Sequence, residues 1–420
     1  MCDNFALGLE NKGVEMATKR GMHPARLVAI SFTAIIAFGT LLLSLPLATN
    51  SGKATALLDS LFTATSAVTV TGLSTLDVET HWNMFGHIVI ALLVEVGGFG
   101  IVGFASLIAI LIEGRISLRN RITTSLEAGS TTRDVRGLLF NVISIMLTFQ
   151  ALLFGFLFIR FIAEYSYSPD KAAAHAVFHA VSAFNNAGFA LYSDGLARFA
   201  TDGWILIPVF MTVLISSFGF PTIGEIRDRL ALKLLKVFKR PAPFTLPKQW
   251  SLNSRITLWG TLAVVAFGIL SIGFLEWNNA RTFGGLTVFD KGMNAVFTAI
   301  VTRTAGFNSV DLTGMHSSTW LVTDLLMFIG GASVSTSGGI KIGTAVVLFF
   351  IVYSEVRGEA AVNIGNRRLP RSMQRQAIAI VALTVLVIAG ATMALRLTTS
   401  FNLDQIMLEV FSAVGTGGIT

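Results

Sequence analysis

The chain has 420 residues, 53% of them hydrophobic and 13% charged, against roughly 25% charged in soluble domains; too few charges are present to coat a water-exposed surface. Its single cysteine, Cys2, excludes a disulfide framework and any Cys-based zinc site. A formal charge of +7 suits nucleic acid or the cytoplasmic anchors of a membrane protein, and the placement of the basic residues favours anchors.

A polar leader, residues 1–26, precedes the apolar run Leu27 to Ala48. That run is longer than a signal-peptide core and has no small-residue cleavage pattern, so it reads as a retained span. Six more long apolar runs follow: Phe85 to Ile112, Leu138 to Ala163, Trp204 to Gly224, Ile256 to Leu275, Leu321 to Tyr353 and Ala377 to Leu395. Each approaches or exceeds the roughly 20 residues a spanning helix needs. The leader and the segments after the second, fourth and sixth runs hold 22 of the 31 Lys and Arg residues. These segments are therefore expected inside the cell, with a cytoplasmic N-terminus.

Each outer segment contains a second, shorter apolar stretch: Ala56 to Val70, Ala172 to Phe184, Gly292 to Val301 and Ile406 to Val414. A helix of 10 to 15 residues rises only about 15 to 22 Å, short of a hydrocarbon core of roughly 30 Å. Taken singly, each stretch suits an interfacial helix as well as a re-entrant one. Their endings favour re-entry: SAVTVTGL, SAFNNAGF, IVTRTAGF and SAVGTGGI each close on a glycine and a large apolar residue, at Gly72, Gly188, Gly306 and Gly418. The intervals of 116, 118 and 112 residues indicate an internal fourfold repeat of span, short helix, glycine turn and span.

Irregular backbone at membrane depth is tolerated only inside protein or along a water-filled path, because unpaired N–H and C=O groups in lipid cost several kcal/mol each. Four such turns are expected to share an axis, toward which the short helices point their partly negative C-termini. The turn residues Val70, Thr71, Asn186, Ala187, Thr304, Ala305, Thr416 and Gly417 carry no charge. A cation there would meet chiefly main-chain carbonyls. Such a cage suits a large, weakly hydrated monovalent ion, potassium first, better than Mg²⁺.

The sixth run would be about 50 Å long as one helix, and it carries Gly330-Gly331-Ala332-Ser333-Val334-Ser335-Thr336-Ser337-Gly338-Gly339-Ile340-Lys341 at its middle. It should break there, as a kink held by neighbouring helices or as a flexible gate. Lys341 would be costly in lipid and tolerable beside a cavity or a carboxylate. Arg303 stands three residues before a filter glycine, where a cation facing the axis would repel the ion. It is expected to point away and brace the filter through a carboxylate, with Glu409, Asp290 and Asp311 as candidates.

The segments TSAVTVTGL, HAVSAFNNAGFAL, TRTAGFNSVDL and GGASVSTSGGIK resemble the Trk/Ktr/HKT superfamily of potassium transport proteins, within it the bacterial KtrB subunits, from about Arg26 to Thr420. The resemblance implies an all-α, multi-pass membrane protein with four pseudo-repeats of helix, re-entrant pore helix, filter loop and helix around a central pore. It implies that Gly72, Gly188, Gly306 and Gly418 support a K⁺ filter and that the loop containing Gly331, Ser333, Ser335, Ser337, Gly338, Gly339 and Lys341 is a gate. Plant members with Ser at the first glycine prefer Na⁺, so Gly72 argues for K⁺. Also implied are a homodimer and a KtrA-like cytosolic ring of nucleotide-binding subunits. K⁺ is then the cargo, Na⁺ an activator, and no cofactor is needed.

The expected division is a leader at 1–26 and repeats at 27–113, 114–224, 225–355 and 356–420, in a bacterial inner membrane. Family members continue through an eighth span, so the fourth repeat is read as lacking its last helix. The alternative is a coupled secondary transporter of another cation or solute, whose folds also use broken helices but more often show two repeats.

Other patterns carry less. Gly98-Phe99-Gly100-Ile101-Val102-Gly103 fits a dinucleotide motif but lies within an apolar run, where close helix packing explains it better. Glu95 is an intramembrane carboxylate, either functional or a buried hydrogen-bonding group. His175 and His179 share a helix face without a third ligand and read as packing residues. No nucleophile elbow or Walker loop is present, so enzymatic activity is not expected. Nucleic acid is not an expected partner; anionic lipid headgroups or an acidic protein suit the basic segments.

Overall fold

The computed structural model describes residues 24–100, 103, 131–238, 250–359, 361–365 and 367–419. The leader to residue 23, most of the second run beyond Gly100, and the basic residues Arg115, Arg119, Arg121, Lys239, Arg240 and Lys248 lie outside them.

The described helices are α1 (Pro24–Ser44), α2 (Leu57–Val68), α3 (Val78–His81), α4 (Met84–Gly100), α5 (Thr131–Ala163), α6 (Pro169–Asn185), α7 (Gly203–Ser217) and α8 (Phe220–Val237). They continue as α9 (Leu252–Glu276), α10 (Val288–Val301), α11 (Ser317–Phe328), α12 (Ile342–Val356), α13 (Arg371–Thr398) and α14 (Leu403–Gly415). A two-stranded antiparallel hairpin, β1 (Asn363–Ile364) with β2 (Arg367–Arg368), separates α12 from α13.

Local chemistry starts several of these helices. The Asp202 carboxylate accepts from the Trp204 amide at 3.0 Å, and the Ser251 hydroxyl from the Ser254 amide at 3.1 Å. Thr287 caps α10, and Asn402 with Gln405 forms a capping box on α14. Each cap satisfies an N–H that the first helical turn leaves unpaired.

Long helices lie outside and short ones inside. Among the described residues α5, α9 and α13 are long and apolar enough to cross a membrane, and only 22% of the spanning window of α9 and 6% of that of α13 is buried. The short helices α6 and α10 are lined by buried small residues such as Ala172, Ala176, Ala183, Ala295 and Ala299. They pack with α5 and α7 in the largest apolar cluster, around Leu157, Phe161, Leu206 and Phe297. Small side chains at these positions let the backbones approach closely.

Two apolar runs are broken. The sixth is two helices, α11 and α12, joined by residues 329–341. The fourth was expected to be one span, but α7 and α8 meet at 106°. Gly219 at the bend has φ +77°, and a side chain there would meet the Ser333 carbonyl oxygen at 2.5 Å. The bend therefore exists where the two interruptions touch.

Candidate functional site

Each of α2, α6, α10 and α14 ends in a turn leading to a glycine with positive φ: +87° at Gly72, +72° at Gly188, +66° at Gly306 and +68° at Gly418. In three of them the residue two positions earlier is also left-handed, Val70 at +55°, Asn186 at +59° and Thr416 at +51°. For β-branched Val70 and Thr416 this is a strained conformation. It is held by hydrogen bonds five residues back, from Thr71 N–H to Ser66 C=O at 2.8 Å, Ala187 to Ser182 at 2.8 Å and Gly417 to Ser412 at 2.7 Å. These are the bonds of a Schellman-type helix end.

The third turn differs. Ile300 stands where the others have serine, and both Ala305 and Gly306 donate to the Val301 carbonyl, at 2.8 and 3.3 Å. In the second and fourth turns that serine also fastens the chain beyond the glycine. Ser182 donates to the Phe189 carbonyl at 2.8 Å, and Ser412 accepts from the Ile419 amide at 2.8 Å.

The four turns form a closed cycle. Gly72 abuts the Ala187 carbonyl oxygen; a methyl group on Gly188 would stand 2.5 Å from the Ala305 oxygen, one on Gly306 2.6 Å from the Gly417 oxygen, and one on Gly418 2.8 Å from the Thr71 oxygen. Each glycine thus meets the carbonyl just before its neighbour's glycine. Residues 112 to 118 apart in sequence become adjacent backbone.

The loop between α11 and α12 packs against this cycle. Its base closes through Gly330 N–H to Ile340 C=O at 3.0 Å and Ile342 N–H to Gly331 C=O at 2.9 Å. It docks on the α7–α8 bend through Ala332 N–H to Ser217 C=O at 2.8 Å and Phe220 N–H to Val334 C=O at 3.1 Å. The Asn186 amide donates to Thr336 at 2.7 Å, Ser216 at 3.0 Å and Ser337 at 3.4 Å, and its oxygen accepts from Thr304 at 3.4 Å. Gly338 lies against the Thr416 hydroxyl. Ser335, Thr336 and Ser337 are buried, whereas Ser333 is exposed. The Lys341 ammonium bonds to the Ser337 carbonyl in its own loop.

A family model described as TrkH, cation transport protein, matches residues 9–420. The chain belongs to that family. It is 33% identical over 398 residues to the Ktr system potassium uptake protein B of Bacillus subtilis (94% of this chain, 85% of that one), and 31% identical to the protein of the same name from Vibrio alginolyticus (96% and 84%). The potassium/sodium uptake protein NtpJ of Enterococcus hirae is 30% identical over 96% of this chain and 86% of its own. The fold matches the crystal structure of the potassium transporter TrkH from Vibrio parahaemolyticus with TM-score 0.67 and 16% identity, over 95% of this chain and 84% of that one.

Within this family fold, Arg303 is 1% exposed, and the hydrogen bond it makes is to a main-chain oxygen, not to one of the expected carboxylates. One terminal nitrogen donates to the Gly330 carbonyl at 2.9 Å, and Nε has no hydrogen-bond partner among the described residues. Asp290 instead accepts from Thr287 at 2.7 Å. Asp311 accepts from the Thr313 hydroxyl at 2.7 Å, which helps hold its carboxyl below the usual carboxylate range. Glu409 lies on α14 and lines the groove that α14 forms with the C-terminal end of α13. Arg303 thus bonds to the base of the loop through a main-chain oxygen.

Glu95 accepts from Gln150 and from Asn185, the last residue of α6, both at 2.7 Å. Gly97 abuts the Val68 carbonyl and Gly98 the Asn185 side chain, which is close helix packing for that part of the glycine motif. His179 bonds to the His175 carbonyl at 2.7 Å and accepts from the Leu191 amide at 3.3 Å, and His175 bonds to the Tyr192 hydroxyl at 3.0 Å. Gln150, Asn185 and Ser216 escaped the sequence reading, and Thr336 stood in it only as part of the interrupted run. Nothing in their local pattern marks their roles, because the partners are 30 to 152 residues away.

Proposed function

We propose that this protein is the potassium-translocating membrane subunit of a Ktr/Trk-type uptake system, with the glycine cycle as the ion filter. The observation that carries the reading is the cycle itself, in which the carbonyls of Thr71, Ala187, Ala305 and Gly417 each lie beside the next turn's glycine. A throat built this way offers main-chain oxygens, completed by Val70, Asn186, Thr304 and Thr416, in place of an ion's hydration shell. Helix C-termini aimed at it favour a cation. Without carboxylates in the turns, the throat suits a monovalent ion that dehydrates easily.

The loop from Gly330 to Lys341 is the gate. Its support is the set of bonds from Asn186 and Gly338's contact with Thr416, which place its buried hydroxyls against the filter turns. Arg303 fastens the loop's base behind the third turn. Ions move down their electrochemical gradient when the loop withdraws. Similarity to proteins named for a Ktr system supports one subunit of a multi-component assembly, which we read as a homodimer resting on a cytosolic nucleotide-binding ring, and similarity to a potassium/sodium uptake protein supports a part for Na⁺, read here as stimulation. The basic segments support a cytoplasmic N-terminus in a bacterial inner membrane.

Flux of radioactive rubidium into liposomes containing the full chain, with and without Na⁺, tests the reading. K⁺ is expected to compete with rubidium at one site and Na⁺ only weakly; equal competition by Na⁺, or rubidium uptake that requires a co-transported solute, would favour a coupled transporter instead.

A further inference from the structure

A crevice of about 780 Å³ runs between α9 and α12, away from the filter. Its α9 wall carries Arg255, Trp259 and Ala263, four residues apart and so on one helix face. Its α12 wall carries Ile342, Val346, Phe349 and Phe350. Among the described residues that line it, the only charged ones are Arg255, in the first turn of α9, and Arg367, on β2. Both are exposed, and neither forms an ion pair with a described carboxylate. Trp250 and Trp259, 37% and 69% exposed, flank the same end. Tryptophan and arginine at one level, with apolar surface beyond, is the arrangement met at a lipid headgroup boundary.

The depth fits one leaflet. From Arg255 to Val264 the helix rises about 14 Å, half of a hydrocarbon core of roughly 30 Å. At its deep end the crevice reaches Ile329 and Ile342, the residues on either side of the intramembrane loop. Gly260 keeps the walls close there, since a methyl group on it would lie 2.9 Å from Ile342.

We propose that this crevice binds an anionic phospholipid, its phosphate held by Arg255 and Arg367 and one acyl chain lying along the α9–α12 wall as far as the loop. The occupant follows from charge complementarity. Two unpaired guanidinium groups recognise a phosphate by paired hydrogen bonds, and the apolar slot beneath them demands an alkyl chain on the same molecule. A second copy of the protein would have to supply two carboxylates and an apolar ridge together. The assignment concerns a site other than the ion path; only the choice of the inner leaflet rests on the orientation proposed above.

Native mass spectrometry of the full chain, titrated with phosphatidylglycerol or phosphatidylcholine, tests it without any transport measurement. Wild type is expected to retain one phosphatidylglycerol per chain, and the double variant Arg255→Gln, Arg367→Gln to bind it about tenfold more weakly or less, with phosphatidylcholine weak in both. A thermal transition matching wild type establishes that the double variant is folded. Equal retention of phosphatidylglycerol by the two proteins overturns the proposal. So does a disulfide between two chains carrying Ala345→Cys and Cys2→Ser, which would identify the occupant as a second copy.

Discussion

Asn186 joins four elements through one side chain. Its side chain, fully buried, ties the second glycine turn to the loop at Thr336 and Ser337, to α7 at Ser216, and to the third turn at Thr304. Replacing it by leucine keeps the bulk and removes the bonds, leaving buried hydroxyls unpaired at about 1–3 kcal/mol each. Asn186→Leu is expected to lower the melting temperature and raise resting rubidium flux, measured at equal expression; flux lost with an unchanged melting temperature would mean that the side chain serves the filter alone. Gly306 is constrained differently. Alanine there carries the left-handed penalty of about 1–2 kcal/mol and would strike Gly417 and Gly418, so Gly306→Ala should reduce rubidium flux about tenfold or more. Arg303→Gln shortens a reach that only the long side chain spans, and should impair uptake or K⁺ selectivity in a competition assay. Wild-type uptake kinetics in that variant would remove the bracing role.

The two interrupted spans work as one unit. The loop between α11 and α12 is fastened at its base, at the α7–α8 bend and at the glycine turns, and the first two attachments use main-chain groups that a continuous helix would have consumed internally. Removing Ser333 to Gly339 deletes the attachments to Asn186 and Thr416 while leaving α11 and α12 intact. Such a variant should pass rubidium faster than wild type in the resting state, in uptake-deficient cells at matched expression. Unchanged or slower flux would show that the loop does not obstruct the path.

For the whole molecule, the inside-out burial follows from its solvent. Small-residue helices fill the centre and α13 exposes nearly its whole length, because apolar surface facing lipid carries no hydrophobic penalty. The orientation is checked by thiol labelling in a Cys2→Ser background. Lys53→Cys, between α1 and α2, should react with a membrane-impermeant reagent in intact cells, and Lys233→Cys, on α8, only after permeabilisation; the reverse pattern would invert the topology.

Much of this architecture is legible in the sequence, because spans and short helices announce themselves by length and hydropathy, and the glycine turns by their period. The glycines had to be glycine for a reason that shows locally, a positive φ, so Gly72, Gly188, Gly306 and Gly418 stand out unaided. The partner of Arg303 was not legible: a buried guanidinium needs an acceptor, but any carbonyl serves, and only folding brings Gly330 to it. At the α7–α8 bend Gly219 and Pro221 are local signs of a helix start, but the loop packed against Gly219 is visible only in the fold. Composition and periodicity thus dictated which segments form apolar helices and where the four glycine turns fall, since those depend on each residue's own solvation and backbone freedom. The closing of the cycle and the tie between the glycine turns and the loop were decided by tertiary structure alone, because contacts between residues more than a hundred positions apart leave no local trace.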